Sequence, residues 1–333
     1  MRDAKTELYG GELVTPFERP SRADTVIKAI AQSNLGEILE PETFTMDPVR
    51  AVHSDDFIAF LETAWQEWQD AGFTGEAIAS SWPARRMQSR VPTSIDGKIG
   101  YYALAAETSI TEGTWAAVLA SKDVALTGAK ALHRGEQGVF SLCRPPGHHA
   151  ASDMFGGYCF LNNAAIAAQY LCDQGAKRAA ILDIDFHHGN GTQDIFYDRD
   201  DVIFCSLHGD PQQAFPYFLG YADETGSGKG LGYNLNYPMP RDTSFAQWQQ
   251  SLTAALAELD EFSPQYLIVS LGVDTFENDP ISFFKLTTAD YFSTGAMIGG
   301  LSIPTLFVME GGYDIDEVGI NVLEVLKGFE SVK

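Results

Sequence analysis

Beyond about residue 136, short apolar runs alternate with segments that carry apolar residues at helical spacing. The candidate strands span residues 139–143, 180–182, 202–207, 266–271 and 305–309. The candidate helices between them span residues 162–174, 244–262 and 288–301. This alternation is typical of a parallel sheet covered by helices on both faces. No linker or internal repeat interrupts it, so the sequence predicts one α/β domain over residues 1–333.

The charge balance restricts the partners of the chain. Its 333 residues include 22 Lys and Arg against 45 Asp and Glu, a net charge of −23. Such a chain lacks the cationic excess that neutralises phosphates, so we expect no nucleic-acid partner and no membrane partner. A cationic ligand is the natural electrostatic complement, although high solubility or a salty habitat explains the same charge.

The cysteines and the amino-terminal segment bear on the compartment. Cys143, Cys159, Cys172 and Cys205 show no CxxC spacing, and the polar start lacks the apolar run of a signal peptide. The longest uncharged stretches are broken by Gly, Asn, Ser or Pro, which argues against a membrane span. The sequence therefore predicts a reduced, cytoplasmic protein.

Four predicted strands lead into loops that are rich in His, Asp and Gly. These loops are Arg-Pro-Pro-Gly-His-His at 144–149, Asp-Ile-Asp-Phe-His-His-Gly at 183–189, Gly-Val-Asp-Thr-Phe at 272–276 and Glu-Gly-Gly-Tyr at 310–313. Ligands of open parallel sheets bind beyond the carboxyl ends of the strands. We therefore expect the four loops to converge on one site.

Two of these loops offer metal ligands. Asp185 and His187 are two residues apart at a strand end, so an extended backbone projects both side chains the same way. With Asp274 they supply one nitrogen and two carboxylates, which leaves a fourth position of a catalytic zinc site open. Zn²⁺ fits best, and Fe²⁺, Co²⁺ or Mn²⁺ are possible substitutes. The alternative is that the aspartates cap loops and His187 is an ordinary buried polar group.

The tandem His148-His149 adds groups for proton transfer beside such a metal. Hydrolysis of an amide needs a base for water and an acid for the departing amine, and an imidazole serves both steps. Asp183 and Asn190 are candidate partners that orient these histidines. Tyr313 follows two glycines, and its phenol could donate to the oxyanion of a tetrahedral intermediate.

With these motifs the sequence resembles the arginase/deacetylase superfamily, and within its histone deacetylase-like family the acetylpolyamine amidohydrolases. The deacetylase likeness rests on the motifs at 144–149, 156–163, 183–192 and 310–313. The polyamine likeness rests on Lys-Thr-Glu-Leu-Tyr-Gly-Gly at 5–11, the loop at 82–100 and the segment 270–276.

The resemblance implies an arginase-like three-layer fold with a central parallel sheet of about eight strands. It also implies that Asp185, His187 and Asp274 hold Zn²⁺. His149 would then be the general base and acid, His148 an electrostatic support, and Tyr313 the group that polarises the acetyl carbonyl.

Further roles follow from the same resemblance. Tyr158 and Phe215 match aromatic walls of a substrate tunnel, and Gly157 matches a backbone acceptor for the scissile N–H. Glu7, Asp96 and Glu107 match acidic positions near the tunnel mouth, although solvated surface acids are the alternative interpretation. Structural K⁺ or Na⁺ sites would involve Asp183, Asp185, His187, Ser206 and Leu207, with a second site near Phe196 and Val202.

The irregular segment at 72–99 matches an insertion through which these relatives form homodimers and narrow the tunnel mouth. Two positions depart from the family pattern. Asn190 stands where many members have Asp, and the chain begins just before Ala4 where relatives have another short strand, so we expect one sheet edge to be missing or truncated.

The predicted activity is zinc-dependent hydrolysis of an N-acetylated polyamine or diamine, a small cationic amine. The main alternative is a protein lysine deacetylase with the same chemistry. An arginase-like binuclear manganese hydrolase and a non-catalytic polyamine or acetyl binder are further alternatives. A binder would be expected to lack His149 or Tyr313, and both are present.

Overall fold

The structure, a computed structural model, describes residues 3–333. Near its start, β1 (Glu7–Tyr9) and β2 (Glu12–Val14) form a short antiparallel hairpin. The helices of the first part are α1 (Pro20–Ser33), α2 (Asp47–Arg50), α3 (Asp55–Asp70), α4 (Ile95–Tyr102) and α5 (Thr114–His133). The segment predicted to be irregular over 72–99 is irregular only as far as Ser94, because α4 begins at Ile95.

Strands and helices alternate through the rest of the chain. The strands are β3 (Gly138–Ser141), β4 (Ala179–Asp183), β5 (Val202–Gly209), β6 (Asn234–Met239), β7 (Tyr266–Leu271) and β8 (Thr305–Met309). The helices are α6 (Asn163–Asp173), α7 (Asn190–Phe196), α8 (Phe245–Phe262), α9 (Thr288–Gly299) and α10 (Val318–Glu330). The predicted alternation is confirmed. Ser244 and Gln247 form a capping box at the start of α8, which explains where that helix begins.

The six later strands form one parallel sheet in the order β3-β8-β7-β4-β5-β6. The α/β fold class is confirmed, but the described residues give six strands in this sheet rather than about eight. β6 was not among the predicted strands, because Asn234, Asn236 and Pro238 break the apolar pattern. Proline and polar residues are tolerated there because β6 is an edge strand.

Helices cover both faces of the sheet. Along β4, Ile181 packs into one apolar cluster, which includes residues of α3, α5 and α6. Its neighbours Ala180 and Leu182 pack into the other cluster, with residues of α8, α9 and α10. Side chains that alternate between two buried faces produce the predicted three layers. None of the helices within residues 3–333 is both long enough and apolar enough to cross a membrane.

Candidate active site

The predicted metal donors meet beyond the carboxyl ends of neighbouring strands β4 and β7. His187 Nδ1 lies 3.2 Å from Asp185 Oδ1 and 3.0 Å from Asp274 Oδ2. One ligand atom from each residue lies within 4.8 Å of the others, and all three residues are buried. The arrangement places two carboxylates and one imidazole where a single cation can contact all three.

Backbone N–H groups orient the two carboxylates. Asp185 accepts hydrogen bonds from the N–H groups of His187 at 2.8 Å and Gly311 at 2.7 Å. Asp274 accepts one from the N–H of Phe186 at 2.8 Å. Gly311 is required at this point, because a Cβ atom there would lie 2.5 Å from carboxylate oxygens of both aspartates. Such fixed outer contacts are typical of metal ligands.

The charge of this group favours a cation. Within residues 3–333, no Lys or Arg forms an ion pair with Asp185 or Asp274. Burial alone would lower the pKa of His187, but hydrogen bonds and charges from the two aspartates raise it to about 10. The donor set therefore fits a divalent metal, which would compete with a proton for the imidazole. Oxygen and nitrogen donors suit Zn²⁺, Fe²⁺ or Mn²⁺.

His148, Cys159 and Glu310 form a second buried group of residues with potential ligand atoms. Glu310 Oε2 already accepts the N–H groups of Gly147 at 2.7 Å and His148 at 3.2 Å. The His148 Nδ1 atom faces Asp183 at 2.9 Å. Glu310 therefore helps to hold the backbone of the 144–149 loop.

The two adjacent histidines have opposite electrostatic environments. Burial alone would lower the pKa of His148, but the charges of Asp183 and Asp185 raise it well above its ordinary value. Burial and the charges of His148 and His187 lower the pKa of His149 well below its ordinary value. His148 is therefore an imidazolium and His149 a neutral imidazole at neutral pH.

Asn190 determines which nitrogen of His149 is free. The Asn190 amide Nδ2 donates to the backbone carbonyl of His149 at 3.3 Å, which turns its Oδ1 toward the ring. His149 Nδ1 donates to this Oδ1 at 2.7 Å. The other ring nitrogen, Nε2, is then left as an acceptor, which is the state that a general base requires.

Tyr313 follows the end of β8 and lies against a buried arginine, Arg22, that no sequence motif marked. The guanidinium carbon of Arg22 lies 4.7 Å from the centroid of the Tyr313 ring. Its Nε donates to the Gly312 carbonyl at 2.6 Å and its Nη2 to the Glu310 carbonyl at 2.5 Å. Burial raises the pKa of Tyr313 well above its ordinary value. The phenol therefore keeps its proton and can act as a donor.

His149, His187 and Tyr313 all line one cavity of about 420 Å³. The predicted wall residues Tyr158 and Phe215 line it too, as does Gly157, the predicted backbone acceptor. Other apolar walls come from Phe186, Ile281 and Phe283. The rings of His149 and Phe215 are 5.1 Å apart and meet edge to face. A Cβ atom on Gly157 would lie 2.1 Å from the His149 ring, so a glycine at this position lets the backbone approach that ring closely.

The three predicted acidic mouth residues have different positions. Glu7 lines the cavity but is buried, and its Oε1 accepts the Tyr158 hydroxyl at 2.6 Å. Glu107 lines the cavity and accepts the Gly157 N–H at 2.7 Å. Asp96 is exposed in the first turn of α4, where it accepts the Ser94 hydroxyl, and it is not among the cavity-lining residues of the single chain.

The residues expected to hold monovalent cations form two separate groups. Asp183 and Ser206 are register partners in β4 and β5, and Asp185, His187 and Leu207 follow them within four positions along the sequence. The Ser206 hydroxyl also contacts His208 Nδ1 at 2.8 Å. Phe196 and Val202 lie at the end of α7 and the start of β5. All seven residues are buried.

The missed residues carried weak sequence signals. Arg22 lies on an amphipathic helix far from the motifs, and nothing in its spacing marks it. Asp279, whose carboxylate accepts the N–H groups of Tyr313 at 2.8 Å and Ile281 at 3.0 Å, opens an Asp-Pro-Ile-Ser-Phe-Phe run. This apolar run lies only a few residues after Asp274, and it was the sequence feature that could have predicted another wall of the cavity.

Three converging metal donors, beside a neutral imidazole and a protonated phenol that line one cavity, define a class of protein, the metal-assisted hydrolases. Comparison with known proteins identifies the family within this class. The histone deacetylase domain matches residues 16–329. The chain therefore belongs to the histone deacetylase family and is a hydrolase.

Several relatives match over nearly the whole chain. An acetylpolyamine amidohydrolase of Mycoplana ramosa is 57% identical over 328 residues, covering 98% of this chain and 96% of the relative. Acetylpolyamine amidohydrolase 2 of Pseudomonas aeruginosa is 53% identical over 332 residues, covering 100% of this chain and 96% of the relative. The crystal structure of an acetylpolyamine aminohydrolase from Burkholderia pseudomallei, 38% identical, matches with a TM-score of 0.94 over 99% of this chain and 96% of that one.

Proposed function

We propose that this protein hydrolyses the acetyl amide of acetylated polyamines and diamines to acetate and the free amine, with one Zn²⁺ per chain. The observation that carries the proposal is the single cavity in which His149, His187 and Tyr313 meet below aromatic walls. The relatives described above, which are named acetylpolyamine amidohydrolases, support the same substrate class.

The metal ligands of the proposal are Asp185, His187 and Asp274. When bound there, Zn²⁺ would lower the pKa of a water and polarise the acetyl carbonyl. The fit rests on the donor set, since three converging donors that form no ion pair with a Lys or Arg among residues 3–333 match a catalytic zinc site. Fe²⁺, Co²⁺ and Mn²⁺ are the metals against which Zn²⁺ is to be compared.

The proton transfers belong to His149. Its neutral imidazole accepts a proton from the attacking water at Nε2, while Asn190 holds the proton on Nδ1. The resulting imidazolium then donates its Nε2 proton to the nitrogen of the departing amine. His148 cannot compete for the first proton, because it is already protonated beside Asp183. Its charge stabilises the negative charge of the transition state.

Tyr313 stabilises the developing oxyanion by donating a hydrogen bond from its phenolic hydroxyl. The phenol keeps that proton because burial disfavours phenolate, and its ring is held by Arg22. The aromatic walls Tyr158 and Phe215 suit the methylene groups of a polyamine, while Glu107 at the cavity wall suits a free ammonium group. Glu7 contributes by holding the Tyr158 hydroxyl.

Substrate comparison tests the proposal. We expect kcat/KM for acetylputrescine, acetylcadaverine or acetylspermidine to exceed that for acetyl-lysine peptides at least tenfold. A preference for the peptides would instead assign protein lysine deacetylation. Release of no acetate from any of these compounds, on a preparation that contains metal, would contradict the proposal.

The proposed assembly is a homodimer formed through the insertion at 72–99. Trp82, Met87 and Val91 in this segment are exposed in the single chain, Met87 by 74%. Covering apolar side chains of this kind is a common reason for association. Asp96 would then reach a tunnel mouth only as part of the dimer. Light scattering should give twice the chain mass, and Met87→Glu should lower it; a monomeric wild type would contradict this part.

The proposal also includes structural K⁺ or Na⁺ at the two groups described above, and a reducing compartment such as the cytoplasm. The carboxylate of Asp183 and the hydroxyl of Ser206 are buried oxygen donors in adjacent strands, which supports the first group. The cysteines support the compartment, since Cys143, Cys159, Cys172 and Cys205 are all free thiols.

A further inference from the structure

Arg241 lies at the mouth of the catalytic cavity, although no motif marked it. β6 ends at Met239, and its carboxyl end lies on the same side of the sheet as the carboxyl ends that carry the metal donors. Arg241 follows two residues later and lines the cavity. The N–H of Asp242 donates to the carbonyl of Phe283 at 3.1 Å, which fixes the two segments side by side. The Arg241 guanidinium carbon then lies 4.3 Å from the centroid of the Phe283 ring.

The charge of Arg241 is not neutralised within the part of the chain that the structure describes. No carboxylate there lies within ion-pair distance of its guanidinium, and the neighbouring Asp242 pairs with Lys285 at 3.9 Å instead. Among the described residues that line the cavity, Arg241 is the one Lys or Arg. A chain with a net charge of −23 thus places an unpaired cation at its substrate entrance.

A guanidinium stacked on an aromatic ring keeps the N–H groups at its edge available, and their fork geometry suits a carboxylate. The same positive charge repels an ammonium group. We propose that Arg241 selects the charge of the distal end of the substrate, disfavouring an ammonium group near Phe283 and accepting a carboxylate there. Glu107 lines the same cavity, and its carboxylate can pair with one ammonium group of the substrate away from Arg241.

This inference rests on the proposed function and names the specificity of that site. Acetylated amines with one free ammonium can direct it toward Glu107, whereas a second ammonium group must lie near Arg241. Amides with a distal carboxylate become additional substrates. Since Arg241 is not among the groups assigned to the proton transfers, its effect belongs in KM rather than in kcat.

The experiment uses three amides of matched length: N-acetyl-1,5-diaminopentane, N-hexylacetamide and 6-acetamidohexanoate, whose distal ends are cationic, neutral and anionic. The kcat/KM of each amide is measured with the metal-loaded wild type, Arg241→Gln and Arg241→Lys. For each protein, the values for the cationic and anionic amides are divided by the value for the neutral amide. Lys285→Gln is the matched control, because it removes the same charge nearby but Lys285 does not line the cavity.

We expect Arg241→Gln to raise the cation-to-anion ratio roughly tenfold or more, mainly through KM, with Arg241→Lys in between. Lys285→Gln should change the ratio less than twofold. Equal ratios in wild type and Arg241→Gln, or equal shifts in Arg241→Gln and Lys285→Gln, would overturn the inference. Acetate release from none of the three amides by the wild type would instead contradict the proposed function.

Discussion

The Nδ1 atom of His149 lies 2.7 Å from an amide oxygen of Asn190, whereas the Nδ1 atom of the adjacent His148 lies 2.9 Å from a carboxylate oxygen of Asp183. The two imidazole rings are only 4.0 Å apart, yet one has a neutral partner and the other a charged one. The charges of Asp183 and Asp185 raise the pKa of His148, whereas burial and the charges of His148 and His187 lower the pKa of His149, which assigns the base to His149.

Replacing the neutral partner tests this assignment. Asn190→Asp puts a carboxylate at the Nδ1–H of His149, which raises the pKa of the imidazole. Because the base must be unprotonated, activity falls as the pH is lowered. In the variant this loss should begin at a higher pH than in the wild type. The acidic limb of kcat/KM should move up by about one pH unit or more. Asn278→Asp, which adds the same charge at an exposed position, should leave the profile in place; an unmoved limb in Asn190→Asp would refute the role of Asn190.

Removing the phenol of Tyr313 tests oxyanion stabilisation. Tyr313→Phe should lower kcat at least tenfold with metal content retained, because one donor of this type contributes about 3 kcal/mol in the transition state. The matched control is Tyr170→Phe, the same change at a half-buried ring that packs on Phe44. Turnover of Tyr313→Phe equal to that of Tyr170→Phe would show that the phenol takes no part.

Arg22 supports the turn that carries Tyr313 through two backbone carbonyls. Arg22→Lys keeps the charge but replaces a planar fork by a single ammonium group. We expect kcat to fall roughly threefold to tenfold and the free energy of unfolding to fall by about 1 to 3 kcal/mol. Arg178→Lys is the control, since Arg178 also donates to a carbonyl, that of Phe262, and stacks on its ring. Similar kcat values for the two variants would contradict a positioning role.

A buried histidine away from the metal donors predicts a pH dependence of stability. His53 Nδ1 donates to the Ala151 carbonyl at 2.8 Å, and its Nε2 accepts the Asn162 N–H at 2.9 Å. Protonation would put a hydrogen on Nε2, which would then face the N–H of Asn162. Burial lowers the pKa of His53 to about 4. The folded pKa lies below the unfolded value, so this contribution is complete above about pH 6.5 and is lost toward pH 4.

The contribution amounts to about 3 kcal/mol over that window. His53→Gln keeps one donor and one acceptor but does not titrate, so its free energy of unfolding should fall less steeply between pH 6.5 and pH 4.5 than that of the wild type. The exposed His133→Gln should follow the wild type. Parallel curves for wild type and His53→Gln would show that His53 does not carry this linkage.

The sequence predicted the parts of the fold that repeat a local pattern. Five of the six strands of the main sheet were found, because Val202–Gly209 and its neighbours are apolar runs between helical patterns. The sixth, Asn234–Met239, was missed because an edge strand tolerates proline and polar residues. Its omission also hid Arg241, which depends on that strand for its position.

The site was predictable where its residues follow strand ends in short motifs. His149, His187 and Tyr313 were chosen on this basis, and the structure brings them to one cavity. Arg22 was not predictable, because its contact with Tyr313 joins residues 291 positions apart and depends on how α1 packs. Asp96 was assigned from the resemblance, and in the single chain it lies outside the cavity.

The central claim is tested most directly by metal content and acetate release measured on one preparation. The protein is stripped with a chelator, reconstituted with Zn²⁺, Fe²⁺, Co²⁺ or Mn²⁺, and assayed on acetylcadaverine, with Asp274→Asn treated in parallel. We predict one divalent ion per chain, loss of acetate release on stripping, recovery with Zn²⁺, and weak metal retention by Asp274→Asn. Undiminished acetate release from stripped protein, or two divalent ions per chain, would contradict the account.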